Sequence, residues 1–183
     1  KQELRELRAP GSQSKGPGLG RCGDCHLGVA QGGALGAPAL LLANRLVNNP
    51  AYFAGLEIAI GPVELRFHRA TWFAMCGADF DATLDGKSVR TGWRTAGASG
   101  QILIINGAKT GMSSLLACDG GIAVPEVMGS RSTDIQGRFG GYQGRALKRN
   151  DKLFLGPANP SDKILGTLQR IWTPEVRVLR GPE

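Results

Sequence analysis

Aromatic residues supply only 6% of the chain and histidine only two positions. So few rings exclude the aromatic-and-basic surfaces that stack single-stranded nucleic acid. No basic helix is in view either, and the chain is not read as a nucleic-acid binder. No apolar run reaches the roughly 18 to 20 residues that a membrane span needs. The richest, Ala37 to Val47, is broken by Asn44 and Arg45, so no membrane partner is expected. Four cysteines, Cys22, Cys25, Cys76 and Cys118, are too few for a disulfide scaffold. The opening KQELRELRAPGSQSKG lacks the apolar core of a signal peptide. A reducing cytoplasm is the expected setting.

What is abundant is glycine, 28 residues in 183, together with 42% hydrophobic content and a net charge of +7. That combination points to a globular, turn-rich β protein with an appetite for anions. Residues 1–20 read as a polar, turn-rich lead-in and 21–183 as the folded domain. One good helix is expected from Ala37 to Asn48, with Ala39, Leu42, Ala43, Leu46 and Val47 on one face. Gly36 and Pro38 mark its start and Asn48-Asn49-Pro50 its stop. Beyond it the pattern changes to short strands: Leu56 to Ile60, Val63 to Phe67, Thr71 to Met75, Phe80 to Leu84, Lys87 to Arg90, Ile102 to Ile105, Ser114 to Cys118 and Leu153 to Leu155. Leu84-Asp85-Gly86-Lys87 is the clearest hairpin, because Asp-Gly accepts the positive φ of a tight primed turn. Ile171 to Leu179 reads as one more extended run. The expected fold is mainly β, a barrel or sandwich with one prominent helix packed on it.

Met128 to Arg145, MGSRSTDIQGRFGGYQGR, concentrates the chemistry. Ser130, Ser132 and Thr133 offer hydroxyls, Gly140 and Gly141 a close-approaching backbone, and Arg131, Arg138 and Arg145 forked cationic donors. The functional reading is an anion-binding loop; the alternative is a glycine-rich connection with its arginines in water. The loop does not end in Gly-Lys-Ser/Thr, so it is no P-loop, and any ATP is expected to be held mainly by a partner.

Three other features carry possible chemistry. Cys22-Gly-Asp-Cys25-His26 has the spacing of a c-type haem attachment site or of half a zinc site. Neither is adopted: Cys76 and Cys118 sit among apolar strand residues as small hydrophobes, and no metal is expected. His26 beside the glycine-rich 28–34 turn is a candidate catalytic group, or a histidine hydrogen-bonded at a turn, whereas His68 reads as a surface residue. Glu57 inside an apolar strand and Asn44 inside an apolar helix need partners. Glu57 is either a proton or amide-hydrogen acceptor in a pocket or paired with Arg45 or Arg66. Asn44 either lines the same pocket or ties the helix end to a loop.

Taken together, GVAQGGA (28–34), LLANRLVNNP (41–50), LEIAIGPVELRF (56–67), MCGADFDATLDGKSV (75–89), GGIAVPEVMGSRSTD (120–134) and GGYQGRALKRNDKLFLG (140–156) resemble one family. It is the biotin-dependent carboxyltransferase-like family, also called allophanate hydrolase subunit 2, whose best-described bacterial members are the C subunits of an ATP-dependent 5-oxoprolinase. The resemblance covers about the N-terminal half of a typical member, with the C-terminal part absent. It implies cyclophilin-like β-barrels, complex formation with the 5-oxoprolinase B subunit, and a separate A subunit that completes the reaction. The implied activity is ATP-driven opening of the cyclic amide 5-oxo-L-proline to L-glutamate. In the relatives fused into urea carboxylase it implies transfer of a carboxyl group from carboxybiotin to urea. No Met-Lys-Met carrier motif is present, so biotin would have to arrive on another protein. The family usually has Gln-Asp before its Gly-Arg, where this chain has Pro17-Gly18-Leu19-Gly20-Arg21. It has an aspartate where this chain has Gly36 and, in Gly-Gly-Ile-Asp, where it has Ala123. Its Arg-Ser-Tyr-Leu appears here as Ser113-Ser114-Leu115-Leu116. The lost carboxylates raise a third reading, a regulatory or binding role without catalysis.

Overall fold

The computed structural model describes residues 2–7, 20, 21, 26, 29, 32–158, 161, 163, 165–168, 178 and 179. Eight strands and one helix follow in the order β1 Gln2–Leu7, α1 Ala37–Leu46, β2 Leu56–Ile58, β3 Val63–Phe67, β4 Thr71–Leu84, β5 Lys87–Ser88, β6 Arg94–Gly97, β7 Ile102–Cys118 and β8 Lys152–Leu155. All neighbours are antiparallel along the path β5-β4-β7-β3-β1-β8, with β2 added to β7 and β6 to β4. The expected closed barrel is therefore corrected to an open sheet among the described residues. Closure requires the two edge strands to pair. Here one edge is the two-residue β5 with both side chains exposed, and β8 at the other edge pairs only β1 among the described strands.

Two long strands do the organising. β4 and β7 pair from Phe73↔Cys118 to Leu84↔Leu103, with register shifts between Gly77 and Ala82 at which β7 contributes the extra residues. Bulges of this kind bend a ribbon and increase its twist. Gly77, Asn106 and Gly107, which look in the sequence like breaks between strands, lie inside these bent ones. Residues 1–20 are likewise not wholly a loose lead-in: Gln2–Leu7 pairs β3 and β8. The predicted Asp85-Gly86 turn is present, with φ of 46° and 80°. The expected run Ile171 to Leu179 lies almost wholly outside the described residues.

Burial explains the patterning. β3 alternates, with Val63, Leu65 and Phe67 inward, whereas Phe73 to Cys76 and Leu115 to Cys118 are buried on both faces. One face joins the main core with Leu56, Ile58, Met75, Phe80 and Leu116; the other is covered by α1, whose Ala43, Leu46 and Val47 pack on Ala74, Cys76 and Ala117. The inward helix face uses Leu40, fully buried, where the periodicity pointed to Leu42, which is 36% exposed. Burying both sides of one stretch removes apolar surface at roughly 25 cal/mol per Å² and fixes the helix over that stretch.

The helix begins at Gly36 with no side-chain cap and with Pro38 in its first turn, a position where a missing N–H is harmless. It ends as the asparagines predict. Asn48 adopts φ of 58°, and Asn49 N–H bonds the Asn44 carbonyl at 2.8 Å, a Schellman closure with asparagine in the left-handed place. Asn44 then uses its whole amide: Nδ2 donates to the carbonyls of Phe53 at 2.9 Å and Ala51 at 3.4 Å, and Oδ1 accepts from Asn49 at 3.1 Å. Asn49 in turn donates to the Cys118 carbonyl at 2.7 Å and accepts from Gly120 N–H at 2.9 Å. This buried pair joins the helix end to the end of β7. Asn49→Ala leaves a buried N–H and buried acceptors without partners, so it should lower unfolding free energy by about 2 to 3 kcal/mol in a denaturant titration. Loss below about 0.5 kcal/mol would mean that the network is not the joint described.

Candidate functional site

From Asp119 the chain leaves β7 and folds into the loop region that ends at β8. Arg69, from the β3–β4 turn, donates to the Asp119 carbonyl at 2.8 Å and its carboxylate at 3.1 Å. Burial raises the Asp119 carboxyl pKa above its ordinary value despite this cation. Ala123 N–H then bonds Phe154 O at 2.7 Å, and Gly156 N–H bonds Gly121 O at 3.0 Å. Val127 and Ser130 close a tight turn through Met128 and Gly129, both at positive φ. Asp134 and Phe139 close the next one, with Gly137 N–H bonded to Asp134 Oδ1 at 2.8 Å.

The inner side of these turns is polar and buried. Ser130, Ser132 and Thr133 are all under 8% exposed. Ser130 Oγ accepts from Ser132 N–H at 3.1 Å and donates to Ser132 Oγ at 3.0 Å; Thr133 Oγ1 accepts from Tyr142 N–H at 3.2 Å. Gly140 and Gly141 are glycines for reasons of space as well as backbone angle. A Cβ on Gly141 would meet Thr133 Oγ1, and one on Gly140 would meet a guanidinium nitrogen of Arg21. Arg21 is 1% exposed, donates from Nη2 to the Ser132 carbonyl at 2.7 Å, and lies 4.5 Å from the centre of the Phe139 ring. It is the residue that reading the loop by itself misses, because it precedes the loop by more than a hundred positions. The signal available was its place in the Gly20-Arg21 pair.

The structure thus brings Ser132 and Gly140 against Arg21, with Ser130 bonded to Ser132 and Thr133 against Gly141, and it disperses the three loop arginines. Arg145 is clamped on Asp151 at 2.6 and 2.8 Å and also reaches Gln143 and the Ala146 carbonyl. Arg131 donates to the Val124 carbonyl at 2.7 Å and lies 3.6 Å from the Glu126 carboxylate. Arg138 is exposed at the tip of the 134–139 turn. Asn44 belongs to the helix joint. Glu57, 2% exposed, stands opposite Leu115 on β7. Directly paired residues share a face, and Leu115 Cδ2 reaches to 3.3 Å from where a Cβ on Gly36 would stand. Glu57 is therefore on the α1 side, near the helix start. His26 is exposed, as is His68. Cys76 and Cys118 are buried, and burial pushes both thiols up to about 12. Cys22 and Cys25 lie outside the described residues.

A cleft of about 340 Å³ opens elsewhere, between Asp79 on β4, Arg90 and Thr91 after β5, and Lys109 on β7. Thr91 donates to Asp79 at 3.0 Å and Arg90 stacks over Trp93 at 4.7 Å. It shares no residue with the loop. No helix among the described residues is long and apolar enough to cross a membrane.

Residues 27–183 match the carboxyltransferase domain, subdomain A and B. The chain belongs to this family. It is 44% identical to the 5-oxoprolinase C subunit of Escherichia coli over 90% of its own length and 53% of that protein's. It is 36% identical to urea amidolyase of Saccharomyces cerevisiae over 81% of this chain and 8% of that protein. The crystal structure of Kluyveromyces lactis urea carboxylase superposes with a TM-score of 0.80 at 35% identity, over 85% of this chain and 14% of that one. The chain spans about half the length of the curated 5-oxoprolinase subunits it matches.

The Arg145–Asp151 clamp makes a pH prediction. Burial opposes ionisation of Asp151, but the Arg145 hydrogen bonds, Lys148 N–H and the Arg145 charge outweigh it and hold the carboxyl below its ordinary pKa. A depressed carboxylate contributes stability above its unfolded pKa of about 3.9 and loses it as pH falls through the folded value. The stability advantage over Asp151→Asn should therefore be flat from neutral pH to about pH 5 and shrink below about pH 4. An advantage that grew with acid would contradict the clamp.

Proposed function

We propose that this chain is the C-subunit component of a 5-oxoprolinase-type complex. It would act in the cytoplasm with a partner like the 5-oxoprolinase B subunit and, transiently, one like the A subunit, to open 5-oxo-L-proline to L-glutamate at the expense of ATP. The observation that carries this reading is the 44% identity to the 5-oxoprolinase C subunit over nine-tenths of the chain, against 34% and 36% for the urea amidolyases. The residues present do not fit a triphosphate by themselves: Arg131 and Arg145 already face acidic partners, and the loop has no P-loop ending. The nucleotide is therefore assigned to a partner.

What this chain supplies on that reading is polar positioning. The buried hydroxyls and backbone of 130–133 and 140–141 orient the small cyclic amide. Glu57, a carboxylate held at 2% exposure on the helix side of β2, serves as proton acceptor, and His26 stands as a second candidate base at the surface. Carboxyl transfer from a biotin carried by another protein is the second reading, favoured by the superposition on urea carboxylase. Identities of 34 to 38% to the urea amidolyases and urea carboxylase, against 44% to the Escherichia coli C subunit, place it second.

The test mixes the protein with its two partner subunits and follows ATP hydrolysis dependent on 5-oxoproline, then repeats with carboxybiotin and urea. Turnover with 5-oxoproline supports the proposal; turnover only with carboxybiotin and urea replaces it with the second reading. A stable complex with neither activity marks a binding role. In the active complex, Glu57→Gln should reduce turnover by about 100-fold or more, the usual range for loss of a general base. Its circular dichroism and melting temperature should stay near those of the parent. Full activity in Glu57→Gln would remove Glu57 from the chemistry.

A further inference from the structure

We propose that Arg21 is the receptor for a small monocarboxylate, bound beneath the 130–141 turns. The guanidinium is almost wholly buried. Its Nη2 is satisfied by the Ser132 carbonyl, but Nε and Nη1 are buried with no hydrogen-bond acceptor among the described residues. No described carboxylate forms an ion pair with it. A buried cation of fixed charge with two idle donors is an expensive arrangement unless something arrives to accept those bonds.

The surroundings choose the ligand. A guanidinium presents its N–H groups in a plane that matches the two oxygens of a carboxylate. Among the described residues Arg21 is the one buried cation at this point without a carboxylate partner, because Arg131 and Arg145 are engaged with Glu126 and Asp151 and Arg138 lies in water at the tip of its turn. A single negative charge is matched and a phosphate dianion is not. The centre of the Phe139 ring lies 4.5 Å from the guanidinium, and the Cβ-less backbone of Gly140 approaches it closely. On the 5-oxoprolinase reading, on which this last step rests, the carboxylate is that of 5-oxoproline itself, and Arg21 grips the end of the substrate away from the amide to be opened.

The experiment measures binding by calorimetry and thermal shift with 5-oxo-L-proline, its carboxamide, propionate and inorganic phosphate. The parent protein should bind 5-oxoproline, bind the carboxamide at least 10-fold more weakly, and ignore phosphate. Arg21→Met should lose carboxylate binding and Arg21→Lys should retain it, weakened about 10-fold, since a point charge replaces the fork. Phe139→Leu, which keeps the guanidinium but removes the ring, controls for general damage to the turns and should still bind. Propionate bound through Arg21 without 5-oxoproline binding would support the site while removing the substrate reading. Equal binding of phosphate, or carboxylate binding undiminished in a folded Arg21→Met, would overturn the proposal.

Discussion

Every other part of the molecule is placed by the pairing of β4 with β7. Because β7 carries the extra residues at each register shift, the ribbon bends, and its two ends present different environments. At one end Phe73 to Cys76 and Leu115 to Cys118 need cover on both faces, and α1 provides it. At the other end Ala78, Phe80, Ala82 and Leu84 turn inward while their neighbours meet solvent. β3, β2, β5 and β6 add to the free edges of this ribbon. Separating it would uncover both hydrophobic clusters at once, so the two are not independent layers.

The helix is also the origin of the loop geometry. Asn44 and Asn49 carry the position of α1 to Cys118 and Gly120, the point from which the loop region departs. Arg69 clamps the same point from the β3–β4 turn. The loop is thus anchored by polar groups at its root and by Arg145–Asp151 near its return to the sheet. Between these anchors its shape is fixed by short internal bonds, with Ile122, Val124 and Tyr142 packed on the main core. That is a stiff arrangement for a segment so rich in glycine.

The fold was legible where local chemistry decides it. Asn48-Asn49 stopped the helix, Asp85-Gly86 turned the hairpin, and the alternation of Val63, Leu65 and Phe67 marked a strand. It was misread where tertiary structure overrides local signals. Gly77 and Asn106-Gly107 looked like turns because a bulge uses the same residues as a turn. Leu40 replaced Leu42 on the buried face because the face at 40, 43, 44 and 47 includes the polar Asn44, which an apolar count passes over. Sheet openness, too, depends on edge lengths far apart in sequence. At the site, the buried hydroxyls and Gly140-Gly141 were legible. Arg21 was not, since only the fold lays it under Ser132. The family aspartate missing at Gly36 also gains a simpler meaning: the position is the helix N-cap, where an aspartate stabilises the first turn.

The arginines show why composition overstates an anion site. Three stand in the loop sequence, yet charge alone says nothing of how many remain available once folded. Arg145 is matched by a carboxylate, Arg131 is partly matched, and Arg138 keeps its hydration at an exposed tip. A hydrated or paired guanidinium gives little to a ligand, because each new bond replaces one already made. A buried guanidinium with idle donors is the opposite case: its desolvation has been borne in folding, so a carboxylate arriving there gains bonds without displacing water from the cation. The useful cation is therefore the one the loop encloses, with the Ser132 carbonyl and the Gly140 backbone against it.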